Sequence, residues 1–278
     1  MRPLPNPIGL GVSFLLLALV FFVVQKIRPC QRDQRVIRRG FGLDVLYWFF
    51  TPLVTGLVSR LAMIATVLPV VLLLGFSWET FKRPSYHGFG LLAAQPIALQ
   101  AVEIFLLGDL IGYWMHRLFH GQRLWAFHAV HHSSTEVDWL SSVRLHPLNE
   151  AVTRSVEVIP LFLLGFNPAA VAAYVPALTL YAVFLHANVR WDFGPLRYVI
   201  ASPLFHRWHH SKEAAAIDKN FAGFVVLWDV IFGTFYFPRD QVPVDLGVSE
   251  PIPETLWGQL VHPFRRAERS VFTRSSAR

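Results

Sequence analysis

The chain has 278 residues, of which 54% are hydrophobic, 14% aromatic and only 15% charged, whereas soluble domains carry about a quarter charged residues. That balance predicts an all-α, polytopic membrane protein. The single cysteine, Cys30, excludes an intramolecular disulfide and any four-cysteine zinc or iron–sulfur site, so metal chemistry has to rest on nitrogen and oxygen ligands. The net charge of +7 comes without a basic-aromatic pattern for stacking bases, which argues against a nucleic-acid partner.

In chain order, Pro7 to Val24 reads as a first, uncleaved span. Lys26, Arg28, Arg32, Arg35, Arg38 and Arg39 follow it; this basic block is expected to stay cytoplasmic and to set the amino terminus outside. Leu43 to Trp78 is apolar, with Pro52, Arg60 and Pro69 as candidate breaks, and is read as one crossing. Ser77 to Gly90 reads as an outside loop carrying Lys82, Arg83, Pro84 and His87. Leu91 to Tyr113 returns toward the cytoplasm, and Ala151 to Leu185, interrupted at Gly165-Phe166-Asn167-Pro168, reads as a helical hairpin. The count is about five spans, with the carboxyl terminus cytoplasmic. The tail Arg265 to Arg278 is expected to be loosely ordered.

Ten of the twelve histidines lie between positions 116 and 210. Residues four apart share a helix face, so His116 and His120 can address one ion, as can His128 with His131 or His132, and His206 with His209 or His210. Neighbouring residues diverge by about 100° on a helix, so each His-His pair suits two adjacent ions better than one. His146 and His186 are further candidates, whereas His87 and His262 read as surface residues. By the span count the three rows fall on the side of the basic block. Imidazole serves iron, zinc and manganese alike, and ligand type alone does not choose among them.

Six stretches resemble the fatty acid hydroxylase and sterol desaturase superfamily of membrane di-iron oxygenases: Asp109 to Arg117, Leu124 to Ser133, Arg144 to Pro147, Phe205 to Ser211, Asp218 to Phe221, and Trp228 to Thr234. The resemblance implies a helical membrane bundle with a cytosolic cap holding two iron ions. Carried over, the ligands are His116, His120, His128, His131, His132, His206, His209 and His210, completed by His146 and His186. It also implies O2 as co-substrate, a membrane lipid as substrate, and hydroxylation or desaturation of a C–H bond. Sterols, fatty acyl chains, ether lipids and carotenoids are not distinguished. No heme, flavin or nicotinamide motif is visible, so electrons are expected from a separate ferredoxin- or cytochrome b5-type donor with its reductase. On this reading residues 1–90 hold the first spans and the basic loop, 91–240 the catalytic unit and 241–278 a cytoplasmic tail.

Ligating imidazoles need partners for their second nitrogen. Asp109, Glu150, Asn188, Asp218, Asn220 and Asp229 lie near the histidines, and Arg117, Arg144 and Arg207 are candidate counter-ions for the acidic ones. Two other classes of function are weaker. A membrane metal transporter should carry ionisable residues within its spans, which here hold few. A zinc hydrolase or isomerase should pair few histidines with an acidic base, and no HExxH motif occurs.

Overall fold

The computed structural model describes residues 6–73, 75 and 87–275. Among them it is helical, with no strand and two isolated bridges, Ile200 with Val225 and Ser211 with Leu246. The α-helices are α1 (Pro7–Ile27), α2 (Phe41–Phe50), α3 (Gly56–Leu73), α4 (Gly90–Ala93), α5 (Ile97–Phe119), α6 (Trp125–His132), α7 (Pro147–Leu163), α8 (Pro168–Leu185), α9 (Pro203–His209), α10 (Leu227–Ile231) and α11 (Leu256–Ser275). Short 3-10 turns lie at Trp139–Val143 and Gly194–Tyr198.

Local chemistry sets the boundaries. Asn6 caps α1 by accepting the Gly9 N–H at 2.7 Å, with Pro7 in the first turn, where no amide hydrogen is needed. Between α2 and α3 the helix does not break at Pro52; it widens into a π-helical turn over Thr51–Thr55, which accommodates a residue that cannot donate. The α7–α8 turn uses Gly165 at φ +87° and an Asn167 cap that accepts the Ala169 N–H at 2.8 Å. Gly165 also accepts the Phe89 N–H at 3.0 Å. The two backbones approach so closely that a Cβ on Gly88 or Gly165 would collide with the other strand's carbonyl.

Among the described residues, four helical stretches are long and apolar enough to cross a membrane: Pro7–Ile27, Phe41–Pro69, Ile97–Phe119 and Pro168–Leu185. The first arm of the expected hairpin is not among them. It is α7, 17 residues long, and it carries Glu150, Arg154 and Glu157, which pair with one another at 2.7 and 2.9 Å. The outside loop expected over 77–90 falls largely outside the described residues. His87 is described, and it is exposed, with Asn167 3.5 Å away. The tail expected to be loosely ordered begins within α11, which runs in helix as far as Ser275, and its last three residues lie outside the described residues.

The spans meet the histidine-bearing part through two apolar clusters. Phe21 of α1 stacks on Trp139, their ring planes 7° apart and centroids 5.5 Å apart, and Trp48, Val183 and Ala187 join them. A second cluster joins Tyr113 of α5 and Leu185 of α8 to Phe205, Phe221 and Val226. The ends of α5 and α8 are thereby fixed against α9 and the loop that follows it. Elsewhere the spans show apolar side chains outward; Leu15, Leu19 and Leu180 are 60% or more exposed, as lipid contact requires.

Candidate metal centre

The histidines enter from four elements that end at the same place. His116 closes the last turn of α5 and His120 caps it. His128, His131 and His132 occupy the buried side of α6, an eight-residue helix. His186 caps α8. His206, His209 and His210 come from α9, which Ser202 starts by accepting the Phe205 N–H at 3.2 Å and in which every residue is buried.

Nine imidazoles gather into two groups, each with ring nitrogens within 4.8 Å of one another. One group is His116, His120, His128, His132 and His209; the other is His131, His186, His206 and His210. Both adjacent pairs, His131-His132 and His209-His210, are divided between the groups, because the helical turn between neighbours aims their rings apart.

In the first group the Nε2 atoms of all five histidines are buried without a hydrogen-bond partner. Burying one such atom unsatisfied costs about 1–3 kcal/mol, and five converging on one point would be hard to sustain without a cation. The second group makes the same case by geometry. His186 Nδ1 donates to the Ala182 carbonyl at 2.7 Å and His131 Nδ1 to the Arg144 carbonyl at 3.3 Å, so each presents a lone pair at Nε2. Yet these two Nε2 atoms face each other at 3.1 Å, and His206 Nε2 lies 3.1 Å from His186 and 3.2 Å from His210. Opposed lone pairs repel, whereas neighbouring nitrogens around one ion bound at about 2.1 Å stand about this far apart. The donor set fits two transition-metal ions.

Several of the outward nitrogens are tied down. His116 Nδ1 donates to the Phe221 carbonyl at 2.8 Å, His209 Nδ1 to the Lys219 carbonyl at 2.8 Å, and His120 Nδ1 to Asp218 at 3.0 Å. One loop, residues 218–221, therefore orients three ligand candidates. Asp218 and Asn220 hold it in the left-handed region at φ 56° and 61°, a conformation these residue types tolerate. Asp229 accepts the Phe221 and Ala222 N–H groups, both at 2.8 Å, and the Thr234 hydroxyl at 2.6 Å. Asn220 clamps the loop to Tyr236, accepting its N–H and donating to its carbonyl.

Burial, reinforced by neighbouring imidazoles, holds His128, His131, His132, His206, His209 and His210 well below the usual histidine range. His186 is pushed down to about 4, chiefly by burial. Neutral imidazole is the form a metal ion needs. The hydrogen bond to His120 draws the Asp218 carboxyl below its ordinary range.

His146 is corrected as a ligand. It sits at the start of α7, accepting the Leu148 N–H at Nδ1 (3.2 Å) and donating from Nε2 to the Leu260 carbonyl of α11 (3.1 Å), so both nitrogens are committed elsewhere. Among the expected supporting residues, Asp218 touches a histidine directly and Arg144 does so through its carbonyl. Asn220 and Asp229 act through the loop. Asp109 instead accepts from Val225 N and Trp228 Nε1, Arg117 donates to the Tyr113 hydroxyl, Glu150 pairs with Arg154, and Asn188 binds Gln31. Arg207 is buried and donates to the Val137 carbonyl.

Two features escape the sequence reading. Asn149, on α7, accepts the His128 Nδ1 proton at 3.0 Å. Asp44 of α2 binds the guanidinium of Arg144 at 2.7 Å, and Arg38 spans Asp44 and Asp138 at 2.7 and 2.5 Å, all of them buried. An open cavity of about 1050 Å³ adjoins the first histidine group, with His120, His132 and His209 in its wall.

Residues 101–234 match the family model described as fatty acid hydroxylase. The ornithine lipid hydroxylase OlsE of Rhizobium tropici is 33% identical over 223 residues, covering 79% of this chain and 65% of that protein. The alkylglycerol monooxygenase of Danio rerio is 36% identical over 149 residues, 53% of this chain and 32% of its own length. A very-long-chain aldehyde decarbonylase of Oryza sativa subsp. japonica, GL1-7, is 26% identical over 147 residues, covering 48% of this chain and 22% of that protein. The chain thus spans under two thirds of each of these relatives, and no solved structure matches it significantly. Residues 101–234, with the two convergent histidine groups at their centre, are a fatty acid hydroxylase domain.

Proposed function

We propose that the protein is an integral-membrane di-iron oxygenase that hydroxylates a lipid C–H bond with O2 and two electrons from a separate donor protein. The observation carrying this reading is the pair of buried histidine groups whose unpaired nitrogens converge. His116, His120, His128, His132 and His209 would hold one ion, and His131, His186, His206 and His210 the other. Bound there, two irons would supply the activation of dioxygen and the oxidation of an unactivated carbon.

The rest of the work belongs to the chain itself. The carbonyls of Phe221, Lys219, Arg144 and Ala182, with Asp218 and Asn149, fix six of the nine imidazoles in the tautomer that offers Nε2 inward. The apolar cluster around Tyr113, Phe205 and Phe221 keeps water from the membrane-facing side of the groups. Hydroxylation is preferred over desaturation because two of the relatives are a named hydroxylase and a named monooxygenase. The cap and the carboxyl terminus are assigned to the cytoplasm, and the amino terminus to the outside, from the basic block after α1. The electron donor is a separate protein of ferredoxin or cytochrome b5 type.

The test is metal analysis of the purified protein together with lipidomics of cells expressing it. About two irons per chain and a lipid heavier by one oxygen are expected. One zinc, no iron and an unchanged lipid profile would overturn the proposal.

A further inference from the structure

A buried ligand set needs a way in, and the two histidine groups differ in what reaches them. His120, His132 and His209 of the first group stand in the wall of the cavity of about 1050 Å³, whose lining includes no member of the second group. His116 and His120 are half-buried, whereas His131, His186, His206 and His210 are all buried. A cation carrying six waters at about 30 Å³ each needs about 180 Å³, so the cavity admits it with its hydration shell intact.

The wall holds a carboxylate placed to receive such an ion. Asp218 accepts the His120 Nδ1 proton at 3.0 Å through one oxygen, while its side chain is 64% exposed. It therefore touches a ligand candidate on one side and solvent on the other, and carboxylate oxygen is a donor that hydrated divalent ions accept readily. The neighbouring charges are engaged: Lys212 pairs with Asp245 at 2.7 Å, and Glu250 accepts the Trp125 Nε1 proton at 2.7 Å. Arg123 is exposed, makes no ion pair among the described residues, and sets a positive charge in the same wall.

The way onward runs through the imidazoles that the outer hydrogen bonds leave out. His132 makes no hydrogen bond among the described residues, and the Nδ1 atoms of His206 and His210 are buried without a partner. His132 of the first group and His210 of the second lie against each other, ring centroids 4.3 Å apart and planes at 27°. Main-chain carbonyls hold His116 and His209 in place, but a ring with no outer bond to break can turn. One such ring on each side of the boundary gives a cation a path between the groups.

We propose that this cavity is the port through which a hydrated divalent cation enters the metal centre: Asp218 captures it, the first histidine group receives it, and His132 passes it to His210 and the second group. The inference rests on the reading of the two groups as a two-ion centre and adds the order in which they fill.

The experiment follows Co2+ entering metal-free full-length protein in lipid nanodiscs by stopped-flow absorbance, with bound metal counted at the end. Wild type should take up about two ions per chain, in a fast and a slow phase. His186→Ala should lose the slow phase and keep the fast one, and His132→Ala should slow the filling of the second group about ten-fold. Asp218→Asn, which keeps an acceptor for His120, should slow the fast phase about five-fold at low salt, and Arg123→Gln should speed it about three-fold, both effects shrinking as salt is added. Arg123 bonds to no histidine, so its variant reports on the port even where a ligand variant fails to fold. Loss of the fast phase in His186→Ala, an unchanged slow phase in His132→Ala, or a fast phase indifferent to Asp218 and Arg123 would overturn the proposal. Wild type that holds only one ion would overturn the two-ion reading and this one with it; two ions arriving independently would overturn the order alone.

Discussion

The side-chain oxygen of Asn149 lies 3.0 Å from His128 Nδ1, which joins the start of α7 to the middle of α6 at a site where both residues are buried. The amide oxygen can only accept, so the contact sets the His128 tautomer and aims its Nε2 at the first histidine group. Asn149→Ala is expected to weaken metal affinity roughly 10–100-fold with the protein still inserted. Asn149→Asp, which keeps an acceptor, should recover most of it. Competition with a chelator measures both, and unchanged affinity in the alanine variant would remove Asn149 from the site.

His146 and His131 provide a sharper contrast. Both were candidates by sequence, but His146 spends its two nitrogens on Leu148 and Leu260, while His131 faces His186 at 3.1 Å. His131→Ala is expected to lose one ion of the pair and all turnover. His146→Ala should keep the full metal complement and lose only the modest stability of a helix cap, about 1 kcal/mol. Iron content of the two purified variants decides the matter; loss of metal from the His146 variant would contradict the assignment.

Asp229 acts at one remove. Its carboxylate receives Phe221 N–H, Ala222 N–H and the Thr234 hydroxyl, and Phe221 passes the constraint to His116 through its carbonyl. Asp229→Ala orphans three buried donors, at about 1–3 kcal/mol each before relaxation. The expected outcome is a clear drop in melting temperature together with weaker metal binding in whatever fraction stays folded. A variant with wild-type melting and wild-type iron content would show that the loop holds itself.

The metal-free protein should be acid-labile. Burial lowers the pKa of His128, His131, His132, His206, His209 and His210 well below the value near 6.5 that they have in the unfolded chain. As pH falls, the unfolded chain takes up protons first. The stability these histidines confer is thus complete above about pH 6.5 and drains away below it, by up to about 1.4 kcal/mol per pH unit for each. Melting temperature of the apoprotein between pH 8 and pH 5 should be level and then fall steeply, and bound metal should move the fall to lower pH. A level profile across that range would contradict the burial argument.

The histidine rows were readable because their spacing of three and four residues already defines a helix face, and the division of each adjacent pair follows from the same turn. His146 misled for a local reason. In His146-Pro147 the proline fits the first helical turn, so the histidine becomes the cap of α7. The contacts that orient the ligands were invisible for a different reason: the Phe221, Lys219 and Ala182 acceptors are main-chain carbonyls, which every residue type possesses. Asn149 and Asp44 are side chains, but their partners lie 21 and 100 positions away, and only the packing of α7 and α2 brings them in. The first arm of the hairpin read as a span because Ala151 to Leu163 is largely apolar; the mutual pairing of Glu150, Arg154 and Glu157 marks α7 instead as a helix packed among others, between α3 and α5.

Arg38 gives the basic block a second meaning. In the sequence this arginine is one more cation of the block expected to hold a segment on its side of a bilayer. Once folded, it is enclosed with Asp44 and Asp138, and Asp44 in turn grips the residue whose carbonyl orients His131. A residue that counts in the sequence as one positive charge among six is thus, once folded, a fastener behind the ligand candidate His131.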